Sequence, residues 1–536
     1  MAVNRNWIDA VEDHYLEDDI IEVEGVPLTM PKARSRTQSK WQSVVSDDIM
    51  PDSVTADRPE KIPFDILNRL TESTKAQTPL NQALADGTRF APLRPLFVFE
   101  TQSSDQIPVA FHVVAVKAAD KPIRSKGFTE RTFLLLMRDA EGRIDIDLVQ
   151  RFIDYFRLPT ERLDLAQRAV IEQIQPGWTP AGEFQTSLKQ SEPVIPFLPK
   201  AGALLRRDLR TLLDAGLTRA DFFRYVNQLI AVHLGLYQPR LAAHLNPAME
   251  LLLDEMAAPG SVRAEDVARI ERGEDPAHSF EASLEIQAPA GESRVRVGKG
   301  TPAVRSYMEL RLRLAHLHFH LTLLNRVRNA VSAYLVHGGC DAKTAREQAR
   351  RPSQVVRRLG EDRGFRRYLE RASEALAVRF AYEQLDDTGC EEALAELRKR
   401  ARSGLHALRD MYRHYNLQSA PRATSRRAYK NGEQVVRRLL SMGDNGLLQV
   451  RQLANTYFEL GGGLLPLLLI TTVGTQVEKI SVRRFWHRLG EYGLHLDDHE
   501  RERLLGRLKA MGLYERYSDA GEASYVRALI STREAA

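Results

Sequence analysis

The chain has 536 residues, which at about 150 residues per domain leaves room for three or four domains. Apolar residues make up 43% and charged residues 27%, a globular balance that excludes a wholly disordered, collagenous or membrane-embedded chain. Two cysteines, Cys340 and Cys390, exclude a disulfide framework and a four-cysteine zinc module, and they suit a reducing, cytoplasmic compartment.

The acidic start MAVNRNWIDAVEDHY has no apolar run, so no secretory signal is expected. The most apolar window, Leu464 to Val473, falls well short of the roughly 20 residues that a spanning helix needs, and no membrane partner is expected. Residues 1–60 hold 6 Lys/Arg against 13 Asp/Glu and are broken by Pro27, Pro31, Pro51 and Pro59, which reads as an acidic, partly disordered arm.

Residues 61–175 read as a small α+β domain. Short β-rich runs at 96–99, 109–116 and 132–137 predict an antiparallel sheet, and Ile146 to Phe156 predicts a helix. A Pro-rich linker covers 176–200. From 201 to 460 the apolar period is mostly 3.6 and predicts a helical body. Its short helices include 204–213, 219–234, 247–256 and 264–272, then a long one from 302 to 336 closed by Gly338-Gly339, and further helices at 342–359, 365–385, 391–415, 426–442 and 447–460. One interruption, 279–298, alternates at 280–286 and again at 294–297 around a Pro-Gly turn and predicts an inserted β-hairpin.

Residues 461–536 predict a winged helix. Leu464 to Val473 gives a first helix, Ser481 caps a second over 482–492, and Asp497 caps a third over 498–511; strands at 513–518 and 523–529 flank the wing 519–522. The fold class is therefore mainly α: a multi-helix body with a small N-terminal antiparallel β element, an inserted β-hairpin and a C-terminal winged helix.

Catalytic motifs are weak. Gly291 to Thr301 spaces its first glycine six residues from Gly298-Lys299, where a phosphate loop needs four, so no nucleotide cofactor is expected. In the run His316, His318 and His320, a helix would bring only His316 and His320 to one face, and no H-E-x-x-H pattern follows. Asp145 and Asp147 read as solvent-facing strand carboxylates, with a metal-dependent nuclease as the rival. Cys340 and Cys390 read as inert core thiols.

The charge distribution says more. Residues 343–440 carry 23 Lys/Arg against 13 Asp/Glu. Within this belt Arg350, Arg351, Arg357, Arg358, Arg363, Arg366, Arg367 and Arg371 cluster, followed by Arg426, Arg427, Lys430, Arg437 and Arg438, and cations sharing a face would bind a phosphate backbone. Arg483, Arg484 and Arg488 on the second helix of the winged domain are further candidates. The third helix opens with Asp497, Asp498, Glu500 and Glu502, which would repel phosphates and base acceptors, so partner docking is the favoured role of that domain.

The closing pattern, a Leu-rich helix, Tyr492-Gly-Leu-His-Leu496, a charged helix and Ser518-Asp-Ala-Gly-Glu-Ala-Ser-Tyr-Val-Arg527, resembles the C-terminus of the DptG-like proteins, over about the last 70 residues. Those proteins accompany an ATPase in phosphorothioation-dependent restriction, and similar accessory proteins occur in methylation-associated defence. The resemblance implies a non-catalytic accessory subunit of a prokaryotic antiviral defence system, with DNA and a partner ATPase or nuclease as its contacts. The alternative is a free-standing DNA-binding regulator using Arg483, Arg484, Arg488 and the 498–511 helix.

Overall fold

A computed structural model describes residues 20–30, 87–96, 98–100, 106–108, 128–156, 165–174, 193–272, 280–287, 301–384, 401–417, 425–441, 446–450, 456–517 and 524–530, with a few isolated positions besides. The fold is mainly helical, with a small antiparallel strand pair towards the N-terminus and short strands near the C-terminus.

In chain order, β1 (Ile20–Val23) and β2 (Val26–Thr29) form a hairpin, and β3 (Val98–Glu100) pairs antiparallel with β4 (Gln106–Pro108). Helices α1 (Phe128–Leu136), α2 (Ile146–Phe156), α3 (Leu165–Ile174), α4 (Pro199–Leu213), α5 (Arg219–Ala257) and α6 (Ala264–Arg272) follow. After β5 (Ala282–Ser283) and β6 (Glu285–Ile286) come α7 (Pro302–His337), α8 (Ala342–Ala349), α9 (Pro352–Glu361), α10 (Arg363–Gln384), α11 (Gly404–Leu417) and α12 (Ser425–Leu440). The C-terminal part holds β7 (Leu448–Gln449), β8 (Tyr457–Leu460), α13 (Leu465–Val473), β9 (Lys479–Ser481), α14 (Val482–Glu491), β10 (Leu494–His495), α15 (Asp498–Ala510), β11 (Tyr514–Arg516) and β12 (Ser524–Arg527).

The chain forms two compact units, each assembled from three separate segments. One comprises Met1–Ser53, Gln238–Ser279 and Leu310–Gln434; the other comprises Val54–Tyr237, Phe280–Glu309 and Val435–Ala536. This division does not follow the linear order of segments that the sequence suggests.

In the first unit, part of the acidic arm is ordered as the β1–β2 hairpin. Glu24 and Gly25 both have positive φ, the backbone of a two-residue turn whose twist suits the flanking strands. Ile21, Val23, Val26, Leu28 and Met30 alternate into the interior and are buried. The tightest helix pair here is α10 with α11, at Gly404. A Cβ on Gly404 would come within 2.4 Å of the Glu370 carbonyl oxygen, so only glycine admits this approach.

In the second unit, the run Thr132 to Met137 lies in and just after α1 rather than in a strand. All but Leu134 are buried, and an apolar run with both sides covered has no period that distinguishes strand from helix. The expected helix 447–460 is also absent: β7 pairs antiparallel with β8, and β8 pairs parallel with β6. Tyr457, Phe458 and Leu460 are buried, so long-range burial of this aromatic run overrides its helical spacing.

The 39-residue α5 joins two helices that the sequence separates, carrying Pro239 and Pro247 inside it. A proline costs a helix interior about 3 kcal/mol. Residues 225–242 of α5 are buried without interruption, and that burial offsets the lost hydrogen bonds.

The winged helix forms as expected, in the order α13, β9, α14, α15, β11, β12. Ser481 Oγ accepts from Arg484 N at 3.3 Å and Asp497 Oδ1 from Glu500 N at 2.8 Å, so both predicted caps are in place. β12 lies between β11 and β9, with Val526 opposite Tyr514 and Ile480. The tip at 519–522 lies outside the described residues. For the inserted segment, 294–297 also lies outside them, while β5 and β6 pair with β10 and β8.

Candidate nucleic-acid interface

The basic residues singled out above divide between the two units. Arg350, Arg351, Arg357, Arg358, Arg363, Arg366, Arg367 and Arg371 belong to the first; Arg437, Arg438, Arg483, Arg484 and Arg488 belong to the second. The side chains of Arg426, Arg427 and Lys430 lie outside the described residues.

Within the first unit many of these cations are engaged internally. Arg366 donates to the Glu255 carbonyl at 2.6 Å and to the Leu359 carbonyl at 3.0 Å, closing the C-terminal turns of α5 and α9, and it pairs with the buried Glu255 carboxylate. That carboxylate also accepts from Gly260 N at 2.9 Å and Val262 N at 3.2 Å. Arg350 is buried near Glu347. Arg367 and Arg371 face Glu24 of the hairpin turn at 3.1 and 3.8 Å. Arg358 pairs with Asp362 at 3.6 Å and lies over the Tyr334 and Phe365 rings. Arg357 and Arg363 are exposed and Arg351 is half-buried. Arg350 and Arg366 thus fasten helices from within, while Arg357, Arg363, Arg367 and Arg371 are exposed, the last two beside Glu24.

In the second unit, the third helix of the winged domain is fastened from its N-terminal end. Glu500 is buried; its Oε2 accepts from Ile286 N of β6 at 2.6 Å, and Arg503 pairs with it at 2.9 Å. Alongside, Ala282 N donates to the Gly493 carbonyl at 2.8 Å and Leu284 N to the His495 carbonyl at 2.9 Å. Residues 280–287 therefore run as a strand along the corner between α14 and α15, and Gln287 Oε1 continues the line by accepting from Gly462 N at 2.9 Å. Burial, and then the Glu500 carboxylate, raise the pKa of Glu285 beside it. The first turn of α15 is acidic: its buried side, at Glu500, is taken by the protein's own backbone, and Asp498 and Glu502 are exposed.

A buried polar network lies under α14. Asp208 of α4 is fully buried; its Oδ2 stands 3.0 Å from His233 Nε2 and accepts from the Tyr492 hydroxyl at 2.5 Å, while Oδ1 faces Arg207 Nε at 3.1 Å. Thr471 Oγ1 stands 3.0 Å from the same hydroxyl oxygen, which accepts from it. Burial, and next the Asp208 charge, push the Tyr492 hydroxyl well above its usual range. This carboxylate is satisfied on every side and unites α4, α5, α13 and α14 as one core. Sequence reasoning missed it, because its members are spread from residue 207 to residue 492 with no shared spacing.

The weaker chemical candidates resolve into structure. Asp145 is not a strand residue: it caps α2 through Leu148 N at 3.2 Å and pairs with Arg210, while Asp147 is exposed in the first turn of α2. His316 and His320 share a face of α7 as expected, their rings 6.4 Å apart. His320 Nδ1 stands 2.8 Å from Asn246 Oδ1 and Nε2 stands 3.2 Å from Glu250 Oε1, so both ring nitrogens are taken. The hydrogen bond from His320 holds the Glu250 carboxyl below its usual range. The side chain of His318, residues 288–300 and Cys390 lie outside the described residues. Among the described residues, no three His, Cys, Asp or Glu side chains gather as a metal site, and no helix is long and apolar enough to cross a membrane. The chain matches no family model and no curated protein sequence.

Proposed function

We propose that the protein is a non-catalytic accessory subunit of a prokaryotic antiviral defence system of the restriction type. In this role it holds the DNA backbone without reading bases and docks a partner such as an ATPase or nuclease. The defence setting rests on the resemblance of the last 70 residues to DptG-like proteins. The mode of action rests on one observation: Glu500 at the start of α15 is spent on Ile286 N, with the 280–287 strand laid along the α14–α15 corner. A base reader keeps that corner open for the groove, so a winged helix closed in this way is better suited to assembly. The rival nuclease draws no support from Asp145, whose two oxygens are occupied by a helix start and by Arg210.

Expressed with its neighbouring genes in a bacterial host, the intact set is expected to lower phage plating, and deletion of this chain to abolish that protection. The purified chain is expected to leave duplex DNA uncut with Mg²⁺ or Mn²⁺. Cleavage by the chain alone that Asp145→Ala removes would contradict the reading.

A further inference from the structure

The outer face of α14 combines several observations of the second unit. Phe485 and Leu489 point into the core, and a helix period of 3.6 then places Arg483, His487 and Glu491 on the opposite side with Arg484 at its edge, while Arg488 lies on the flank towards α13. Arg483, Arg484 and His487 are exposed, and among the described residues no acidic side chain forms an ion pair with Arg483 or Arg484. Glu491 is the only acid of α14, and it is not available to neutralise them: Arg207 reaches over from α4 and pairs with it. Arg207 is held in that position by Asp208 of the buried network. Arg488 is fixed too, donating to the Thr472 carbonyl at 2.6 Å in the last turn of α13. Arg207 thus engages the one acid of α14, and Arg483 and Arg484 are left without an acidic partner among the described residues.

We infer that this face of α14, and not α15, is where the winged helix meets DNA, as a seat for the phosphate backbone formed by Arg483, Arg484 and His487. The inference rests on the DNA-holding part of the proposed function and names its surface. Arg483 and His487 are one turn apart, about 6 Å along the helix axis, so they can meet neighbouring phosphates of one strand. Contact of this kind carries no sequence information and weakens steeply with salt. The acidic start of α15, with Asp497, Asp498 and Glu502 exposed, lies beyond the other end of α14 and keeps the duplex off the closed corner.

The test is anisotropy of a labelled duplex with the full chain over a salt series, for the wild type, Arg483→Glu/Arg484→Glu, and the first-unit control Arg357→Glu/Arg363→Glu. The α14 pair is expected to lose about 100-fold in affinity at low salt, with the slope of log K against log salt reduced by about two. Arg483→Lys/Arg484→Lys is expected to keep most of the affinity, since a phosphate seat needs charge, and melting of all variants is expected to match the wild type. Unchanged binding by the α14 reversal would overturn the inference. Loss confined to the control would place the seat in the first unit, overturning the inference while leaving the proposed function standing. No binding by the wild type at low salt would remove the DNA-holding reading together with this one.

Discussion

Glu374 lies on α10 one turn from Glu370, at the close approach to α11, and is almost wholly buried. Burial, and then repulsion by Glu370, push its carboxyl up to about 8, while Glu370 itself accepts from Gly404 N at 2.7 Å. The folded protein therefore holds a proton that the unfolded chain releases near pH 4.5. Between that value and about 8, stability falls as pH rises, by up to about 1.4 kcal/mol per unit, and it levels off above. Urea midpoints are expected to drop between pH 5 and pH 8 in the wild type and to drop clearly less in Glu374→Gln, where Glu370 and Glu285, raised by burial, still contribute; equal slopes in both would disprove the assignment. A sequence shows Glu370 and Glu374 as an ordinary i, i+4 pair, because burial is decided by Gly404, 30 residues further on. The same limit applies to the arginines. Arg366 and Arg363 look alike in the belt, yet Arg366 closes two helix ends while Arg363 faces solvent.

Among the elements, the winged helix was the most legible, since each of its signals is local: Ser481 and Asp497 before their helices, and Gly493 and Gly512 after them with positive φ. The strand 280–287 was recognisable as a strand but not by its partners, because pairing with β10 and β8 joins residues roughly 200 positions apart that no local pattern encodes. The helix expected over 447–460 failed for the same reason. The Glu500–Ile286 bond is the point at which this pairing acts on α15. Glu500→Ala leaves a buried N–H unpaired and is expected to cost about 2 kcal/mol, whereas Glu500→Gln keeps an acceptor and recovers most of it. Amide hydrogen exchange of α15 reads both: faster exchange in the alanine variant and near-wild-type exchange in the glutamine variant. Unchanged protection in Glu500→Ala would mean that the corner is held by other contacts.

At the scale of the whole molecule, the basic belt was legible as composition but not as a surface. Its members fall in two units, and in the first unit Glu255, Glu24 and Asp362 take up Arg366, Arg367, Arg371 and Arg358. What that unit leaves exposed is scattered charge, and the compact cationic face is that of α14 in the other unit. The central claim is therefore that the protein holds DNA by its backbone alone. Affinity of the full chain for several duplexes of unrelated sequence, each over a salt series, tests this most directly. The account predicts near-equal affinities that fall together and steeply as salt rises; a strong preference for one sequence that persists at high salt would contradict it.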